Sequence, residues 1–113
     1  MTDRELLELA AKAAGIGVWD DEHGNTWRVY YTDPNNGLNR YTRWNPLTND
    51  GDALRLVVKC NLLVCVGYGS ASACLQDDGS FHRVEEIKGD PYAATRRAIV
   101  RAAAEIGRSR RAP

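Results

Sequence analysis

Three helix-start signals, separated by β-forming runs, are the feature that most limits what this chain can fold into. Thr2-x-x-Glu5 has the form of a capping box, in which the hydroxyl and the carboxylate each satisfy a free backbone amide. Thr48-Asn49-Asp50 offers three N-cap side chains, and Asp90-Pro91 joins an N-cap to the proline favoured in a first helical turn. Apolar residues at helical spacing follow each signal. We therefore predict helices over 3–14, 50–60 and 91–107.

Residues suited to ending a helix follow each of these segments. Gly15 and Asn61 readily adopt the left-handed conformation that stops a helix, and Gly107 is expected to do so for the third one. The second helix is apolar nearly all round, with Arg55 and Lys59 as its single polar stripe, so we expect it to be buried on most sides. Its Leu-Val-Val centre is also compatible with a strand, but the caps and the charged stripe favour a helix.

The segments between the helices carry strand patterns. Residues 26–32 alternate large apolar and polar side chains, which predicts a strand. An Asp-Pro-Asn-Asn-Gly turn follows, after which residues 38–44 return either as a partner strand or as an ordered loop. Three short strands are expected at 62–67, 70–76 and 81–87, and an Asp-Gly pair marks the second connection as a hairpin.

The resulting order, α-β(β)-α-β-β-β-α, predicts an α+β fold in which helices sandwich an antiparallel β-meander sheet. The 113-residue length suits one domain, since domains commonly have about 100–150 residues. We expect this domain to occupy residues 1–108, and residues 109–113 to form a disordered basic tail.

Composition excludes several classes of function. The 15 basic residues balance the 15 acidic ones, which argues against a general nucleic-acid coat or a polybasic membrane binder. No apolar run approaches the roughly 18 residues of a membrane span, and the N-terminus lacks the layout of a signal peptide. The three cysteines form no C-x-x-C pair, so we expect a cytoplasmic protein without a metal site or a cofactor.

Catalytic patterns are also missing from the sequence. There is no G-x-S-x-G elbow to present a serine nucleophile. His82 together with Glu85 or Glu86 is the best available pair for acid–base chemistry, but nothing in the spacing joins them. A binding function is therefore favoured, and a small hydrolase-type enzyme is the less favoured alternative.

The segment Trp44-Asn45-Pro46-Leu47-Thr48-Asn49-Asp50-Gly51-Asp52-Ala53-Leu54-Arg55-Leu56 resembles the signature of the phage ABA sandwich domain, a family of small bacteriophage and prophage proteins. The alanine-rich segment 98–107 and the opening helix are also similar to that family, and a more distant similarity links the chain to NinX-like phage proteins. The resemblance covers about half of the chain. It implies a helix–sheet–helix sandwich and a phage setting, but no established activity and no functional residues.

Aromatic and arginine side chains alternate between residues 27 and 44, and this segment carries the candidate binding site. We expect the contact surface to consist of five residues, Arg40, Tyr41, Arg43, Trp44 and Asn45. Arginine, tyrosine and tryptophan dominate the energetics of protein interfaces, so a host or phage protein is the favoured partner. The same residue types stack on bases, which leaves a nucleotide or a nucleic acid as the alternative, and another small ligand is also compatible with the neutral chain. A β-hairpin with one aromatic face in the core is the purely structural interpretation.

Overall fold

The computed structural model describes residues 1–110, in which three helices and two three-stranded antiparallel sheets form an α+β fold, as predicted. The elements in chain order are α1 (Asp3–Ala14), β1 (Val18–Asp20), β2 (Thr26–Thr32), β3 (Asn39–Arg43), α2 (Asp50–Cys60), β4 (Leu62–Gly67), β5 (Ser70–Leu75), β6 (Arg83–Glu86) and α3 (Pro91–Ser109).

The predicted caps start all three helices. The Thr2 hydroxyl accepts a hydrogen bond from the Glu5 amide at 3.2 Å, and Asp90 caps α3 by accepting from the next two free amides. Among the three candidates before α2, Asn49 is the N-cap, and it accepts from the Asp52 amide at 2.9 Å. These bonds satisfy amides that a helix leaves without partners, so a few side chains set where each helix begins.

The strands divide between two sheets instead of forming the single sheet that the sequence predicted. One has the order β1-β2-β3 and the other has the order β4-β5-β6. Asn45-Pro46 and the whole of α2 lie between β3 and β4 in the sequence. The three strands before this connection pair with one another, and so do the three strands after it. Residues 39–43 form the partner strand that the sequence left open, while β1 lies in a segment for which no strand was predicted.

Helix α3 lies at the centre of what we call the helical body, which consists of the three helices and β4-β5-β6. It packs mainly against α1, β5 and β6. Its small side chains allow this close packing, and five alanines of α3 are buried: Ala94, Ala98, Ala102, Ala103 and Ala104. On the sheet, Ala71 and Ala73 are buried beneath the helices, whereas Leu63 and Val84 are exposed on the opposite face.

Gly107 lies within α3 and does not end it, contrary to the sequence-based expectation. A Cβ atom at this position would overlap the carbonyl oxygen of Leu9 in α1 and lie 2.8 Å from the carbonyl carbon. The glycine therefore permits two helix backbones to approach each other, and α3 continues to Ser109. Arg110, expected in the disordered tail, donates from Nη1 to the carbonyl oxygen of Ala13 at 3.0 Å. The rest of that predicted tail, residues 111–113, lies outside the described residues.

Candidate functional site

The sheet β1-β2-β3, which we call the β arm, differs from the helical body in having no fully buried residue in its strands. Its strands contact mainly one another, and the molecule is elongated, with extents of 51 × 34 × 24 Å. Large aromatic side chains remain in solvent there: Trp19 is 46% exposed and Tyr41 is 44% exposed. Exposed tryptophan and tyrosine grouped on one sheet are typical of a contact surface.

Strand register gathers four side chains on one side of the β arm, and we call this group the aromatic face. Trp19 lies opposite Trp27 on the neighbouring strand, and Trp27 lies opposite Arg43. The rings of Trp19 and Trp27 stack at 6.1 Å, and the Tyr41 ring meets Trp19 edge-on at 5.6 Å. The Arg43 guanidinium lies 5.7 Å from the Trp27 ring centroid, which is within cation–π range.

Asp21 fixes the position of Trp27 from the loop between β1 and β2. The Trp27 indole N–H donates to Oδ2 of Asp21 at 2.8 Å, and the amides of His23 and Asn25 donate to Oδ1. These hydrogen bonds favour the ionised carboxylate and hold the pKa of Asp21 well below its ordinary value, with the bond from Trp27 as the largest cause. The ring is therefore oriented before any partner binds.

Arg40 belongs to the other face of the β arm. It is adjacent to Tyr41 in β3, and successive side chains of a strand point to opposite faces. Its guanidinium lies 5.8 Å from the ring centroid of Tyr31, its cross-strand partner. A shift in register between Val29 and Tyr31 marks a bulge in β2, which separates this Arg–Tyr pair from the aromatic face.

Trp44 and Asn45, which the sequence placed on the contact surface, anchor the end of the β arm. Trp44 has 0% exposure and belongs to the core of the helical body. The Asn45 amide donates to Oδ2 of Asp52 at 3.0 Å, while its side-chain Oδ1 accepts from the Leu47 amide at 3.0 Å. These contacts make Asn45 part of the connection to α2, and no atom of Trp44 is available to a partner.

The structure therefore joins Tyr41 and Arg43 to Trp19 and Trp27, and separates them from Arg40. Sequence reasoning did not assign Trp19 to the site, because β1 has only three residues and follows directly from the end of α1. The available signal was the triplet Val18-Trp19-Asp20 before a polar loop, which matches the start of a hairpin whose second strand begins at Thr26.

Helix α2 also differs from its sequence-based interpretation, since it was expected to be buried on most sides. Leu54 is 62% exposed and Val58 is 73% exposed, so one apolar side of the helix faces solvent. A groove of about 630 Å³ runs beside it, formed by α2, β4 and the start of α3. Its lining includes Arg96 and Asp50, which form an ion pair at 2.7 Å.

The weak catalytic pair considered from the sequence is not assembled in residues 1–110. Glu85 binds Arg101 at 2.6 Å, and within residues 1–110 no hydrogen bond or ion pair joins the His82 side chain to Glu85 or to Glu86. Within the same residues, no group of three or more His, Cys, Asp or Glu side chains is placed to hold a metal ion. No helix in this part of the chain has the length and hydropathy needed to cross a membrane.

Comparison of the chain with protein-family models, with curated proteins and with solved structures found no match.

Proposed function

We propose that this protein is a non-catalytic binding module that contacts a protein partner through the aromatic face of the β arm. The observation that supports the proposal best is the stack of Trp19 on Trp27, with Tyr41 and Arg43 beside it on an exposed sheet. Interfaces concentrate their binding energy in such residue types, with truncation costing about 2 kcal/mol or more at a hot spot.

Preorganisation supports the same conclusion. The cross-strand pairs and the bond from the Trp27 indole to Asp21 hold the rings in one arrangement in the free protein. The side chains of the aromatic face therefore lose little conformational freedom when a partner binds. The free energy of ordering them subtracts correspondingly little from the binding free energy.

Local charge favours a protein over a long nucleic acid as the partner. Residues 18–45 carry four acidic side chains and three arginines, a net charge of −1. Nucleic-acid binding depends on a positively charged surface that releases counterions from the phosphates, and this segment does not provide one. The stacked rings alone do suit unpaired bases, so a nucleic acid is the alternative that the experiment must separate.

The biological setting that we propose is a phage or prophage accessory protein acting on a host protein in the bacterial cytoplasm, with counter-defence as one such role. The basis for this setting is the resemblance of residues 44–56 to the phage ABA sandwich domain. The binding mode itself is argued from the β arm and stands independently of that setting.

The test is a capture experiment from a lysate of the bacterium that carries the gene. Tyr41→Ala/Arg43→Ala removes half of the aromatic face, and Tyr31→Ala/Arg40→Ala removes the matching residue types from the opposite face. We expect the first variant to lose the partner by roughly 30-fold or more, the equivalent of about 2 kcal/mol, and the second to retain it. Both variants must show the unfolding transition of a folded protein.

Two further conditions separate the classes of partner. A protein partner should survive nuclease treatment and change little between low and high salt, whereas nucleic-acid binding falls steeply as salt rises. Equal retention by the two double variants would show that the aromatic face is not the contact surface. If nuclease treatment removed every captured species, the partner would be a nucleic acid and the proposal of a protein partner would be wrong.

A further inference from the structure

A cleft on the opposite side of the β arm collects positive charge around apolar walls, and we call it the cationic cleft. It has a volume of about 540 Å³ and lies between the back of β2, the end of α1 and the exposed side of α2. Among residues 1–110, its lining contains three cationic side chains and no acidic one: Arg28 from β2, and Arg55 and Lys59 from α2. Val58 and Leu54 supply the apolar wall.

The cations of the cleft are only partly balanced. Arg55 binds Oδ1 of Asp52 at 3.1 Å, but Arg28 and Lys59 form no ion pair within residues 1–110. In addition, Nε of Arg28 is shielded from solvent and has no hydrogen-bond partner in that part of the chain. A guanidinium N–H that is shielded from solvent and has no acceptor costs free energy, so an acceptor at this guanidinium would be favourable.

We propose that the cationic cleft binds a small organic anion with an apolar body, such as an alkyl carboxylate or an alkyl phosphate. The volume lies within the roughly 300–1,000 Å³ of ordinary ligand pockets. The apolar body packs on Val58 and Leu54, which explains why these side chains are left exposed on α2. The anionic head lies between Arg28 and Lys59, where charge-assisted hydrogen bonds are strongest.

The cations of this site are separate from the aromatic face, although Val29 in the cleft lining lies opposite Tyr41 in the strand register. Arg28 is adjacent to Trp27 in β2, so its side chain lies on the other face of the sheet. A ligand in the cleft contacts both the β arm and α2, and it therefore joins the two parts of the molecule that otherwise make few contacts. Tyr41→Ala/Arg43→Ala is accordingly expected to leave anion binding unchanged, which keeps a failure of the proposed function distinguishable from a failure here.

The test measures the Kd of four probes that share a ten-carbon chain, below their micelle concentrations, by titration calorimetry with the full-length protein. Decanoate and decyl phosphate should each bind at least about tenfold more tightly than decanol, because only the anions pair with the cations. Decyltrimethylammonium should not bind. The tighter of the two anions identifies the preferred head group. Equal binding of decanol and decanoate would overturn the proposal.

Charge-removing variants locate the site. Arg28→Met and Lys59→Met should each weaken decanoate about tenfold and leave decanol unchanged, since methionine keeps an apolar stem but removes the charge. Lys88→Met removes an exposed cation elsewhere and should have no effect. Val58→Asp, at a position that is 73% exposed, should abolish anion binding without unfolding the chain. If Arg28→Met fails to fold, Lys59→Met alone decides, and unchanged decanoate binding by that variant would contradict the assignment.

Discussion

Tryptophan occupies two opposite environments in this molecule, and the contrast separates the helical body from the β arm. Trp44 is fully enclosed and packs in the core, whereas Trp19 stacks on Trp27 in an exposed sheet. In the body, apolar side chains are buried between α1, α3 and the sheet β4-β5-β6. In the arm, similar side chains remain at the surface, where their contacts are mainly with one another.

The difference shows two ways of holding an element in place. The helical body is ordered by close packing, down to a glycine where two helices meet. The β arm is ordered by its strand hydrogen bonds, by ring stacking and by the bonds that Asp21 accepts in its hairpin loop. Because the aromatic side chains of the β arm are not buried in the core, their surface remains available for binding.

The largest expected effect comes from truncating the same residue type in each region. Trp44→Ala should lower the free energy of unfolding by about 3–5 kcal/mol, since it removes a fully buried aromatic side chain. Trp19→Ala removes only surface stacking and should cost about 0.5–1.5 kcal/mol. Urea denaturation of the two variants measures both values. Equal losses would show that the β arm contributes to the core as much as the helical body does.

Glycine substitutions give the next largest contrast. Gly107→Ala places a methyl group against the Leu9 carbonyl, so α1 and α3 must separate, with an expected cost of about 1–3 kcal/mol or more. Gly17→Ala is the matched control, because a Cβ at Gly17 meets no atom of the described residues within 4 Å. The midpoint of urea unfolding should fall for Gly107→Ala alone. A stable Gly107→Ala protein would mean that the helices do not approach this closely.

The arginine of the aromatic face should matter little for stability. Arg43→Ala removes one exposed cation–π contact with Trp27, which contributes about 0.5–1 kcal/mol. The same substitution is expected to weaken partner capture strongly, because an interface residue can dominate binding while contributing little to folding. Thermal and urea unfolding of this single variant check the first part. A loss of stability comparable to that of Trp44→Ala would place Arg43 in the core instead of the contact surface.

The pH dependence of Asp21 should be a local effect confined to the β arm. Since the folded arm lowers the pKa of Asp21, the stabilising contribution of its carboxylate is complete above the ordinary value of 3.8. It declines as pH falls below that value and is fully lost once pH has passed through the lower folded-state pKa. The indole N–H resonance of Trp27 should therefore stay constant from about pH 7 to about pH 3.

Charge-matched variants check the origin of that behaviour. Asp21→Asn should shift the Trp27 indole resonance at every pH, because it replaces the acceptor of the indole hydrogen bond. Glu22→Gln removes one negative charge from the residue after Asp21 and should leave the resonance of the Trp27 indole unchanged. A resonance that titrates near 3.8 in the wild-type protein would argue against the lowered pKa.

Local chemistry explains why the helices were predictable. Thr2, Asn49 and Asp90 bond to amides two or three residues away, so their effect is visible in a short stretch of sequence. The stops at Gly15 and Asn61 were predictable for the same reason, since each adopts a left-handed conformation directly after its helix. Strands β4 and β5 were also found from the pattern of their own residues.

Contacts between residues distant in the sequence explain what was missed. Gly107 looks like a helix stop by itself, and only the approach of Leu9, nearly a hundred residues earlier, shows why it is a glycine. The aromatic face required β1, whose three residues are recognisable as a strand mainly through their pairing with β2. Arg40 was grouped with Tyr41 because the two are adjacent, whereas a strand directs them to opposite sides.

The sequence by itself determined the α+β class and the starts of the three helices described within residues 1–110, because caps and periodic patterns act over a few residues. The tertiary structure decided that the strands form two sheets and that α2 exposes Leu54 and Val58. It also decided that Trp44 is buried while Trp19 is exposed. These properties depend on which surfaces meet after folding. The sequence around a tryptophan or a valine is the same whether the side chain packs against a helix or is exposed to water.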